Sequence, residues 1–180
     1  MRRLFWLLLP ASVLALDLGS KAWILKLLAE GESRPVIKGF FYLTVGFNRG
    51  AIFGSLTWLP SLARVILFTV AAVAALVIIG QMFLEKSAAN WDRVALGFIL
   101  GGILGNSLDR YFRGAVVDFL DFAFGAWHYW TFNFADSFIL VGAVIFGLRM
   151  LRGHKVEPRV EERVQETGPP QSHEGTNIDE

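Results

Sequence analysis

The chain has 180 residues, 54% of them hydrophobic, with 16 Phe, 6 Trp and no Cys. That is too apolar for an ordinary soluble domain, and the missing cysteine excludes disulfides, thiolate metal sites and a cysteine nucleophile. The net charge of +1 conceals a split: residues 1–151 carry 13 Lys/Arg against 9 Asp/Glu, residues 152–180 carry 4 against 7, and the basic residues are too scattered to form a nucleic-acid patch.

A helix needs about 20 residues to cross the hydrocarbon of a bilayer, and four apolar stretches are candidates. The first runs from about Leu4 to Leu28. Met1-Arg2-Arg3 ahead of it resembles the start of a secretory signal peptide. The apolar character resumes beyond Lys21, however, and three more stretches follow, so an uncleaved span is expected. Asp17 and Lys21 interrupt it four residues apart, which puts them on one helix face as a structural ion pair.

The segment Pro35 to Phe53 is rich in β-formers and punctuated by Gly39, Gly46 and Gly50. It predicts a small extracytoplasmic sheet inside a β-rich insert at about 35–58. The second span, about Leu62 to Leu84, has Arg64 near its start and no further charge through Leu84. The third, about Val94 to Leu108, carries Gly97, Gly101 and Gly105 as a ridge of small residues, with Gly102 beside it. Such a ridge admits a neighbouring helix closely, here next to Asn106, Asp109 and Arg110. By spacing alone that polar group caps and pairs at a helix end.

Trp127, Tyr129 and Trp130 predict an interfacial aromatic belt before the fourth span, about Phe132 to Leu148. Beyond Arg152 the chain is polar and acidic, with Pro158, Pro169 and Pro170 and no apolar periodicity. It predicts a disordered cytoplasmic tail over 152–180 behind a single membrane domain over 1–151. The basic residues Arg2, Arg3, Lys86, Arg93, Arg149, Arg152 and Lys155 all fall on one side of a four-span chain, which places both termini in the cytoplasm.

An aspartate at the centre of a membrane helix costs roughly 2.5–3.5 kcal/mol. Asp17, Asp109, Asp118, Asp121 and Asp136 nevertheless gather near the extracytoplasmic ends of the spans. Asp17 has Lys21 and Asp109 has Arg110 close by, whereas Asp118 and Asp136 have no local cation, and Asn133 lies three residues before Asp136. Two carboxyls held together share a proton and can activate a water, one as general base and the other as the acid that polarises a carbonyl. An ion pair from Asp118 to Arg110 or Arg113 fits the spacing equally well. With His128, His154 and His173 as the only histidines, two of them in the tail, no His-based metal site is expected. No nucleophile elbow or P-loop is present.

Five blocks, in order, resemble those of the bacterial lipoprotein signal peptidases (signal peptidase II). They are Asp17-Leu-Gly-Ser-Lys21, Asn48-Arg-Gly-Ala-Ile-Phe53, Gly101-Gly-Ile-Leu-Gly-Asn-Ser-Leu-Asp-Arg110, Val116-Val-Asp-Phe119 and Phe132-Asn-Phe-Ala-Asp136. The resemblance covers about residues 4–150. It implies a mainly α membrane protein with four transmembrane helices and a small extracytoplasmic β-cradle. It further implies an inner-membrane aspartic endopeptidase, without a cofactor and acting as a monomer. Such an enzyme cuts the signal peptide from prolipoproteins just before a diacylglyceryl-modified cysteine. Asp118 and Asp136 match the family's catalytic pair; Asp17, Lys21, Asn48, Gly50, Asn106, Asp109, Arg110 and Asn133 match its supporting positions. The resemblance also implies a short helix near Ala51–Trp58 over the site and inhibition by globomycin-type cyclic peptides. The competing readings are a proton-coupled carrier, disfavoured because the acids cluster toward one face without an internal repeat, and a non-catalytic scaffold.

Overall fold

The computed structural model describes residues 5–50, 59–85, 88–125 and 127–152. In chain order these form helix α1 (Leu8–Leu27), strands β1 (Ser33–Ile37) and β2 (Phe41–Asn48), helices α2 (Ser61–Leu84) and α3 (Asn90–Arg113), strands β3 (Val116–Phe124) and β4 (Trp127–His128), and helix α4 (Phe134–Leu151). The expected segment near Ala51–Trp58 and the tail from residue 153 lie outside the described residues.

Among the described residues three helices are both long and apolar enough to cross a membrane: Leu8–Leu27, Leu62–Leu84 and Phe134–Leu151. The 24-residue α3 is long enough, at about 36 Å, but four glycines and polar ends dilute its apolar content. It also runs from Asn90 to Arg113, beyond the expected 94–108 at both ends. On α2, Leu62, Val70 and Ile78 are more than half exposed, as suits side chains that face lipid chains rather than water.

The glycine ridge does the work expected of it. A Cβ on Gly97 would come within 2.9 Å of Leu9, and one on Gly101 within 2.6 Å of Val13; one on Gly105 would collide with Asp17 Oδ2. Leu9, Val13 and Asp17 are spaced by four, as are the three glycines. One face of α1 therefore runs alongside one face of α3 in the same direction. Gly102 receives α4 in the same way, at Ala135 and Ile139. Gly142 returns the favour to α3, at Ala95.

The four strands form one antiparallel sheet in the order β1-β2-β3-β4. The sequence predicted the first two strands and missed β3 and β4. A bulge between Leu43 and Gly46 sets Gly46 opposite Asp118 and Asn48 opposite Val116. The sheet is pinned to the end of α1 by a core of Ile24, Leu28, Val45, Val117 and Phe119. Burying each such side chain stabilises by about 1.5–3 kcal/mol. At the far end of the bundle Phe83, Leu96 and Leu100 pack together.

Candidate active site

Three backbone devices bring the polar residues together. Gly114 adopts φ 72° and donates its N–H to Arg110 O at 3.0 Å, turning the chain from α3 into β3; a glycine suits that left-handed position. The segment ahead of α4 is stitched onto β3, with Phe119 and Leu120 donating to Phe132 O and Phe132 donating back to Leu120 O. Asn133 then caps α4. Its Oδ1 accepts the Asp136 N–H at 2.9 Å, and Asp136 Oδ2 accepts the Asn133 N–H at 3.4 Å. Asn133 is therefore the cap, in extended conformation, and Asp136 the third residue of the helix, so the two are not stacked on one helical face as the spacing suggested.

Asp118 and Asp136 meet across Asn133. Asn133 Nδ2 donates to Asp118 Oδ1 at 2.6 Å, Asn48 Nδ2 donates to Asp118 Oδ2 at 3.0 Å, and Asn106 Nδ2 donates to Asp136 Oδ1 at 2.7 Å. Among the described residues neither carboxylate forms a salt bridge. The alternative pairing of Asp118 with Arg110 or Arg113 is not formed, because Arg113 is taken by Asp109 and Arg110 donates to Asn106 O and Gly50 O. Asp118 is only 3% exposed. It lies on β3, outside the spanning helices, where burial and then the charge of Asp136 push its carboxyl up to about 7 against the lowering effect of the two amides.

Behind Asn106 lies a second cluster. Lys21 Nζ is 2.7 Å from Asp17 Oδ2, 3.0 Å from Asp109 Oδ2 and 3.0 Å from Asn106 Oδ1, with Asp17, Lys21 and Asp109 all completely buried. Asp109 also pairs with Arg113 and accepts the Val117 N–H at 3.2 Å, while Asp17 Oδ1 accepts the Ala135 N–H at 3.0 Å. Adjacency suggested Arg110 as the partner of Asp109. The helix instead offers it Arg113, one turn on.

The two clusters are coupled through amide orientation. Lys21 can only donate, so Asn106 must turn its carbonyl oxygen toward Lys21 and its NH₂ toward Asp136. The Asp136 N–H likewise fixes Asn133 so that its NH₂ faces Asp118. Arg110 completes the site. It donates to Asn106 O at 3.5 Å and to Gly50 O at 3.3 Å, and its buried Nε has no partner among the described residues. The Gly50 N–H in turn donates to Asn48 Oδ1 at 3.0 Å. All ten residues singled out in the sequence thus join one network. Asn106 and Arg110 also line a cavity of about 950 Å³ between α2 and α3.

Asp121 belongs elsewhere. Three residues from Asp118 on a strand, it points to the opposite face. There it accepts from Thr44 Oγ1 at 3.0 Å and lies 3.0 Å from His128 Nδ1. The pairing of Arg113 with Asp109 and this cluster of Thr44, Asp121 and His128 were missed by sequence reasoning. The signal for the latter was the strand period through Val116–Phe124, which assigns Asp118 and Asp121 to different faces.

The signal peptidase (SPase) II family profile matches residues 9–152. A lipoprotein signal peptidase of Serratia proteamaculans is 42% identical over 145 residues, covering 79% of this chain and 84% of that protein. One from Bacillus pumilus is 39% identical over 151 residues, covering 82% and 93%. A solved bacterial membrane enzyme superposes with a TM-score of 0.73 at 29% identity, over 82% of this chain and 88% of its own.

Proposed function

The chain belongs to the signal peptidase II family of membrane proteases, and from that premise we propose that it is an aspartic endopeptidase that removes the signal peptide from prolipoproteins, cutting before the diacylglyceryl-modified cysteine. The observation that supports the aspartic assignment is that Asn133 ties the buried Asp118 carboxyl to the first turn that carries Asp136, with no salt bridge to either carboxyl among the described residues.

In this reading the pair binds a water. One carboxylate takes a proton from it as the oxygen attacks the scissile carbonyl, and the protonated partner donates a hydrogen bond to the carbonyl oxygen. Collapse of the tetrahedral intermediate breaks the C–N bond, with a proton passing from the dyad to the leaving nitrogen. A carboxyl raised to about 7 suits Asp118 to hold the shared proton at neutral pH, although the titration belongs to the pair. Asn48, Asn106 and Asn133 position the carboxyls, and Arg110 holds the Gly50 backbone at the edge of the site. Asp17, Lys21 and Asp109 act through Asn106 as positioning residues.

We further propose that α3 is the fourth span, since α1, α2 and α4 can each cross a membrane and α3 packs against all three. Both termini then lie in the cytoplasm of a bacterial inner membrane, the acidic segment 152–180 with them. The β-sheet forms a cradle at the extracytoplasmic face, in a monomer that globomycin-type peptides inhibit at the dyad. The deciding experiment is incubation of the purified protein with a diacylglyceryl-modified prolipoprotein peptide. Cleavage on the amino side of the modified cysteine, lost in Asp118→Asn and Asp136→Asn, is expected. Substantial turnover by either variant would sink the dyad.

A further inference from the structure

At the end of the bundle away from the dyad, α2, α3 and α4 enclose a second cavity of about 430 Å³, within the size range of small-molecule sites. Arg149 on its rim and Asp136 are about 20 Å apart along α4 at 1.5 Å per residue. Each helix gives this cavity one apolar and one charged residue, three or four positions apart. They are Met82 and Glu85 from the end of α2, Leu96 and Asp92 from α3, and Phe146 and Arg149 from α4. On each helix the charged member stands at the edge of a charge-free run: 65–84, 94–108 and 137–148. When the bundle crosses a bilayer the cavity therefore straddles the boundary between hydrocarbon and water. Its apolar members face the lipid side and its charged members the wet side. The rim holds both signs. Arg149 reaches Asp92 with two nitrogens, and Glu85 adds a second carboxylate. Two carboxylates against one guanidinium favour an occupant that carries a cation. The guanidinium in turn offers paired donors to phosphate oxygens.

We propose that this cavity binds a phospholipid with a primary-amine head group, phosphatidylethanolamine, from the bilayer leaflet at that end. Its ammonium lies between Glu85 and Asp92, its phosphate against Arg149, and the start of an acyl chain against Met82, Leu96 and Phe146. A primary ammonium has three N–H donors, enough to serve both carboxylates. A quaternary choline has none, and a glycerol head group has no cation. The inference uses the crossing of a bilayer and not the cleavage chemistry, so it stands or falls separately from the proteolytic reading.

The test is native mass spectrometry of the purified full chain in neutral detergent, with phosphatidylethanolamine, phosphatidylcholine and phosphatidylglycerol supplied in equal amounts. One saturable phosphatidylethanolamine adduct is expected, preferred over either of the others by at least about fivefold, the upper worth of one partly exposed ion pair. Glu85→Gln lowers that preference about fivefold, and Glu85→Asp restores part of it. Ala88→Trp puts a large ring into the cavity and removes the adduct. Glu30→Gln, an exposed position on the turn ahead of β1, removes the same charge outside the cavity and leaves the preference unchanged. Unaltered thermal unfolding of each variant excludes loss of fold. Equal retention of the three lipids overturns the proposal, as does a preference for phosphatidylglycerol or a Glu30→Gln effect equal to that of Glu85→Gln. An adduct that persists in Ala88→Trp places the lipid elsewhere on the surface and overturns it too.

Discussion

On one side of Asn106, Asp17 and Asp109 face Lys21 and Arg113, two charges against two; on the other, Asp118 and Asp136 face amides. The residue types and depth are shared, and the chain connects the two groups through a single side chain. A carboxylate paired with a lysine is fixed in its ionised form and has little left to give. A carboxyl held only by amides keeps its oxygens placed while its proton stays exchangeable. Burial does not draw the same line, because Asp118 is as buried as Asp17 and Asp109 while Asp136 is half-buried.

The largest effect should come from the amide-held side. Asp118→Asn or Asp136→Asn is expected to lower cleavage by at least about 10³-fold, within the range of general acid–base catalysis, measured as single-turnover hydrolysis. Next is Lys21→Met, which leaves Asp17 and Asp109 buried without their shared cation. Removing one partner of a buried pair costs about 3–5 kcal/mol, to be read as loss of unfolding free energy in detergent. A variant with unchanged stability would erase the distinction drawn above. Asn133→Ala removes a cap worth about 1 kcal/mol, and it should reduce cleavage well beyond what its stability loss explains, since it also takes the amide donor from Asp118 Oδ1.

Titration sharpens the comparison further. The Asp118 carboxyl moves from an ordinary 3.8 to about 7 in the folded chain. Between those values the folded form holds a proton that the unfolded form has released, so stability should fall as pH rises from about 4 to about 7. Asp118→Asn should flatten that slope, and the wild-type cleavage rate should decline above neutrality as the shared proton is lost. The smallest effects belong to Asp121→Asn and His128→Ala, on the other face of β3. Asp121 is buried but His128 is half in solvent, and a pair open to water on one side contributes about 1 kcal/mol or less, so cleavage should stay within about twofold. A tenfold loss there would bring Asp121 into the site.

Three of the four expected spans were legible because long apolar runs have one physical explanation in a chain of this composition, and the glycine ridge named the close helix contact before its partner was known. The ten residues that meet in one network are those named by the five ordered blocks. Their pairing was not legible. Asp109 prefers Arg113 to its sequence neighbour Arg110 because helical geometry favours i,i+4 over adjacency. The strand over Val116–Phe124 was obscured by its burial on both faces, which removes the polar alternation that marks a half-exposed strand. That strand's two-residue period alone puts Asp118 and Asp121 on opposite faces.

The two ion pairs also bear on how the molecule is made. Asp17 with Lys21 and Asp109 with Arg113 are each i,i+4 within one helix. Each pair can therefore form as soon as its own helix does, without waiting for a partner element. Only when the glycine ridge brings the helices together does Lys21 reach Asp109, and contacts that began within single helices become the lock between them.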